Sequence, residues 1–126
     1  MRSLLLALAL AVTAHAQPSA DDVRIDGRSI VGVWEAVEVL GDWEASEDIR
    51  SGALTTVLRI EPGGAVRLRG TDWKRAQGRT VLLEGHIHDN RLRLTGLPGE
   101  AELQRLGPRL HLVDPRGRET VFERRW

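Results

Sequence analysis

From residue 30 onward the chain alternates apolar and polar side chains in short runs, broken at regular intervals by turn residues. Period-two alternation is the pattern of a half-buried strand, because successive side chains on an extended backbone point to opposite faces. The runs predict eight strands, over residues 30–40, 53–61, 65–69, 79–88, 91–95, 101–106, 109–113 and 118–125. Val66 and Leu68 alternate with Arg67 and Arg69 in the third, Leu92 and Leu94 with Arg91 and Arg93 in the fifth. Leu110 and Leu112 face inward in the seventh, and Val81, Leu83, Gly85 and Ile87 form the core side of the fourth. Pro62-Gly63-Gly64, Asp89-Asn90, Gly107-Pro108 and the segments 96–99 and 114–117 read as turns, since Pro fixes φ and Gly accepts positive φ. Residues 41–52 carry Asp42, Glu44, Glu47 and Asp48 with little apolar periodicity, and read as a long loop with one helical turn capped by Ser46. Residues 70–78 read as a polar connection carrying Trp73.

Short connections impose antiparallel neighbours. Eight antiparallel strands in sequence close into an up-and-down barrel, which removes both edges. The expected class is therefore all-β, an eight-stranded antiparallel up-and-down β-barrel. A barrel of that size is just wide enough to be filled by its own side chains or to hold one small ligand.

The strands are preceded by a different pattern. Arg2, an apolar run from Leu4 to Ala14 and the small-x-small triplet Ala14-His15-Ala16 read as a signal peptide over residues 1–16. The run is too short to span a bilayer. Cleavage after Ala16 leaves Gln17 first, then a leader over 17–29 and the barrel domain over 30–126. Within the leader, residues 23–28 read as a short turn or strand feeding the domain. The expected location is secreted or periplasmic. No second apolar stretch predicts a membrane span, and the absence of Cys removes both a lipid anchor at position 17 and any disulfide.

Without Arg2 the chain carries 17 basic and 18 acidic residues, a net charge of −1. Nucleic acid and anionic membranes select basic surfaces, so neither is expected as a partner.

Gly32-Val33-Trp34 on the first strand resembles the Gly-x-Trp signature of the lipocalins and their short bacterial lipocalin-like relatives. The resemblance covers nearly the whole chain after residue 16 in element order. It implies that Gly32, Trp34 and a basic residue of the last strand form the plug of the closed end, with the basic group packed over the indole. Arg124 shares parity with Phe122 and is preferred over Arg125 for that role. It also implies that residues 41–52 are the lid between the first two strands. Thr71-Asp72-Trp73 resembles a turn motif of classical lipocalins but precedes the fourth strand, and the C-terminal helix and disulfide of those proteins have no counterpart.

Glu84, His86 and His88 occupy alternate positions of one strand and so share a face, opposite the core side. Two imidazoles in that spacing suit one metal ion, with Glu84 or His111 as further ligands. The same pattern also fits solvated surface histidines, and no metal or cofactor is expected. Catalysis has little support: Cys is absent, and Ser19, Ser29, Ser46 and Ser51 all lie outside the predicted strand centres. The acidic segment from Asp42 to Asp48 lacks the ordered oxygen spacing of a calcium loop.

Trp43 and Trp73 lie in the first and third connections, which an up-and-down barrel places at the same end. They suit a mouth that grips an apolar ligand or a partner. Leu54, Thr56, Leu58 and Ile60 of the second strand are expected to line the ligand space with Trp34. The expected function is an exported barrel that binds a small apolar or amphipathic molecule. The alternative is a protein-interaction module whose barrel is filled.

Overall fold

The computed structural model describes residues 23–75 and 77–125, so residues 1–16, expected as a signal peptide, residues 17–22, Ala76 and Trp126 lie outside the described residues. A hairpin of β1 (Arg24–Ile25) and β2 (Arg28–Ser29) precedes β3 (Gly32–Val39). Asp26 and Gly27 take φ of 54° and 75°, as a tight two-residue hairpin requires. Helix α1 (Trp43–Ser51) follows, then β4 (Leu54–Ile60), β5 (Ala65–Asp72), β6 (Arg79–His88) and β7 (Arg91–Leu94). β8 (Ala101–Leu106), β9 (Arg109–Val113) and β10 (Glu119–Arg124) complete the chain.

From β3 to β10 each strand pairs antiparallel with its successor, and β10 pairs back onto β3. The eight strands thus form a closed up-and-down barrel, as the alternation and short turns predict. The core lies inside it. Trp34, Leu58, Ile60, Val66, Leu92, Leu103, Leu110 and Phe122 are fully buried there. Leader residues join this core: Ile25 and Ile30 belong to it, and Val23 packs against it. Residues 23–29 are therefore a hairpin seated on the barrel rather than a detached approach.

Up-and-down connectivity sorts the connections into two ends. The hairpin, the Pro62–Gly64 turn and the turns at 89–90 and 107–108 lie at one. Helix α1 and the connections at 73–78, 95–100 and 114–118 lie at the other, the mouth.

Three segments differ from expectation. Residues 43–51 form a helix instead of a loop, and its cap is Asp42, whose carboxylate accepts the Ala45 N–H at 3.0 Å. Ser46 lies inside the helix, where its hydroxyl accepts the Val39 N–H and donates to the Val39 carbonyl, each at 3.0 Å. Gly52 ends the helix at φ 85°, the left-handed cap glycine accepts without a Cβ penalty. Second, β5 runs to Asp72 rather than stopping at Arg69, with Gly70 paired between Thr56 and Val81. Third, the β3–β10 register shifts, so that Ala36 faces Phe122 while Glu38 faces Val121. Val37 is the extra residue of a bulge, which keeps Trp34 and Ala36 in the core and lets Glu38 meet Arg109 outside at 3.6 Å.

One pairing is incomplete. β7 covers only residues 85–88 of β6, with one further bond from the Thr95 N–H to the Glu84 carbonyl. Residues 79–83 of β6 pair with β5 alone. Val81, expected on the core side, is consequently exposed, and so is Leu82.

Candidate functional site

Each end of the barrel is shut by a different device. At the closed end the Trp34 ring is fully buried, and its indole N–H donates to the Ile30 carbonyl at 2.9 Å. Arg124 lies over the ring at 4.4 Å from the centroid, and Arg105 at 5.9 Å. The Arg124 guanidinium also donates to the Val31 and Ser29 carbonyls at 2.5 and 2.8 Å. It therefore ties the hairpin and the start of β3 to the end of β10. Burial, then the nearby Arg105 charge, lowers the Arg124 pKa from its ordinary value. Gly32 enters β3 at φ 146°, a conformation that side-chain-bearing residues rarely adopt.

At the mouth, helix α1 is clasped by the β5–β6 connection. Asp48, buried on the helix, meets Arg75 at 2.9 Å and Lys74 at 3.4 Å. Arg75 also pairs with Glu44 and, at 3.4 Å, with Asp72. The Asp72 carboxylate caps its own turn by accepting the Lys74 and Arg75 N–H groups at 3.0 and 2.8 Å. The Arg75 side chain, and Lys74 after it, lower the Asp48 pKa against the opposing effect of burial. The Arg75 backbone N–H does most to lower that of Asp72. Ile49 turns inward and packs against the core. The lid expected over residues 41–52 is thus a short helix docked by one apolar side chain, one buried serine and an ion-pair network.

Beside this clasp a recess of about 240 Å³ opens between the 95–100 and 114–118 connections. Leu68, Leu92, Leu94 and Leu112 form its walls, with Leu97 and Pro98 above and Asp114 and Arg118 at the rim. Its lining is mostly apolar, which suits a small nonpolar group with a polar end at the rim.

The residues expected from sequence fall in several places. Leu58 and Ile60 are fully buried in the core. Leu54 and Thr56 share their face and are partly exposed nearer the mouth. Trp43 and Trp73 are both exposed, at 76% and 62%, but they border separate hollows. Leu68, Leu94, Leu97 and Leu112 line the mouth recess without having been expected there. The signal available for them was the inward parity of Leu92, Leu94 and Leu112, read only as core.

Glu84, His86 and His88 are exposed on the outer face. His111 does not join them: it sits on β9, nearly buried, with its Nδ1 2.5 Å from Glu119 Oε2. It is therefore a paired group rather than a solvated one. Among the described residues no cluster of three or more His, Asp or Glu side chains is placed to hold a metal ion. Among them also, no helix is long and apolar enough to cross a membrane. In comparisons with protein-family models, curated proteins and solved structures, no match to this chain was found.

Proposed function

We propose that this chain is an exported, lipocalin-like barrel that binds a small apolar or amphipathic molecule at its mouth, without catalysis. The observation that supports the reading is the apolar recess of about 240 Å³ beside the α1 clasp. Drug-sized ligands occupy pockets of roughly 300–1,000 Å³. The recess is smaller, so the preferred ligand is compact, or inserts one arm and leaves the rest outside. The Gly32, Trp34 and Arg124 constellation supports the lipocalin-like assignment, and residues 1–16 support export.

A protein-interaction module is the second reading. The observation favouring it is the filled interior, in which Trp34, Phe122, Leu58, Leu103 and Leu110 leave no exposed surface.

The two readings separate in a titration with a neutral apolar probe, N-phenylnaphthylamine. Saturable fluorescence enhancement that weakens in Leu97→Ser, and is restored in Leu97→Met, supports the mouth site. Leu97 is about half exposed, at 49%, so the serine variant keeps the fold. Absence of saturable binding sinks the ligand reading and favours the interaction module. Native mass spectrometry of protein purified from its own host, with and without a chelator, identifies any co-purifying molecule or metal.

A further inference from the structure

Arginines crowd one outer face of the barrel, around β4 and β5. The register sets Arg59 directly opposite Arg67, and sets Arg69 opposite Val57 one step along the same face. Side chains so placed start about 5 Å apart when opposed and about 7 Å apart on the diagonal. Arg125 joins them just beyond β10, where its N–H donates to the Val33 carbonyl at 2.7 Å. With Val33, Val57, Thr80 and Leu82 these arginines line a recess of about 490 Å³. The hollow that Trp73 borders shares Val57, Arg69, Thr80 and Arg125 with this recess, so the two are continuous.

The charges on this face do not balance. Arg67 has Glu84 at 3.7 Å and Arg125 has Glu35 at 3.6 Å. Among the described residues, Arg59 and Arg69 have neither an ion-pair nor a hydrogen-bond partner. Like charges directly opposed across a strand pair are destabilising, and Arg59 faces Arg67 in that way. The chain as a whole has equal numbers of acidic and basic residues, so this excess is local. An apolar floor lies beneath it. Val33 is buried although it points outward, Leu82 is 57% exposed opposite Arg69, and Trp73 stands at the far end. Guanidinium forks match the geometry of phosphate and sulfate oxygens, and their stems cover apolar surface.

We propose that this outer face binds an amphiphile with a phosphate- or sulfate-type head group. Arg59, Arg67 and Arg69 hold the head, and a single hydrocarbon arm lies along Val57 and Leu82 toward Trp73. The site is outside the barrel and does not rest on the mouth reading. The head group has two possible sources, a free amphiphile monomer and a lipid in a bilayer surface.

The test titrates the whole protein with decyl phosphate below its micelle threshold, read by calorimetry and tryptophan fluorescence. Decyl glucoside is the neutral control. The expected result is one-to-one binding that weakens about tenfold or more in R59Q/R69Q, each lost contact being charge-assisted. Binding should be unchanged in R116Q, which removes a charge from a distant turn, and in Leu97→Ser, which alters only the mouth. Cosedimentation with phosphatidylcholine vesicles doped with phosphatidic acid assigns the lipid source, and monomer binding without cosedimentation assigns the free one. No saturable binding, equal affinity for decyl glucoside, or equal loss in R116Q overturns the proposal. Should the double variant fail to fold by circular dichroism, R69Q alone carries the same expectation in weaker form.

Discussion

Replacing Trp34 by Ala tests whether the closed end is held by its plug. The ring is fully buried, and truncating a buried Trp costs about 3–5 kcal/mol through lost transfer energy and the cavity left behind. Two contributions inside that figure can be separated. The indole N–H bond to the Ile30 carbonyl, 2.9 Å long, is worth about 1 kcal/mol, and its loss leaves a buried carbonyl unpaired. The Arg124 guanidinium 4.4 Å from the ring centroid contributes about 0.5–2 kcal/mol, according to how far it is desolvated. A domain of this size has a total stability of about 5–15 kcal/mol, so the substitution removes a fifth of it at the least. At about 4–8 °C per kcal/mol, Tm falls by about 12 °C or more. Urea unfolding followed by far-ultraviolet circular dichroism measures the loss, provided the m-value stays constant. A double-mutant cycle with Arg124→Gln then isolates the ring–guanidinium coupling. A total loss under about 1 kcal/mol would refute the plug, because such a value belongs to surface substitutions. Zero coupling would reduce the Arg124 contact to mere proximity.

Gly32→Ala forces a Cβ into the strained φ of 146° and should cost about 1–3 kcal/mol in the same urea assay. Ser46→Ala strands the buried Val39 N–H and should cost about 1–3 kcal/mol, with Ser46→Thr recovering part of it. The carboxyl pKa values of Asp48 and Asp72 are lowered in the folded state. The clasp therefore contributes fully above the ordinary Asp value of about 3.9 and is lost as pH falls through the lowered values. An acid titration monitored by tryptophan fluorescence should show the mouth loosening only below about pH 4. Asp48→Asn should flatten that acid limb while leaving the neutral-pH spectrum of the barrel intact.

The strands were legible because almost every barrel strand has one wet and one dry face. Arg91 and Arg93 against Leu92 and Leu94 is the clearest case, with both leucines buried as their parity demands. Helix α1 was harder to see, because only Ala45 and Ile49 mark its inner face while Trp43 points to solvent. Its true markers were the ends, Asp42 as cap and Gly52 as stop, with Ser46 a distraction between them. The bulge at Val37 leaves no trace in composition, since both faces of β3 are apolar there. The outer arginine face was half visible. Alternation in β5 shows Arg67 and Arg69 pointing outward, but placing Arg59 opposite Arg67 needs the register between strands. Register depends on where the Pro62–Gly64 turn closes, which pattern alone does not fix.

The gap beside residues 79–83 changes what kind of object this barrel is. A complete cylinder has no free rim of backbone along its side, and so gives a second molecule nothing to extend. β6 is an interior strand from Gly85 to His88 and a border strand before it. This border stretch, paired with β5 on one side alone, carries exposed Val81 and Leu82, a combination that in a crowded solution invites another chain to add on. Arg79 and Glu84, both exposed, stand at its two limits. Charges in that position act as gatekeepers. The border stretch is thus bounded by two charged side chains, one of which, Glu84, also meets Arg67 of the neighbouring strand at 3.7 Å.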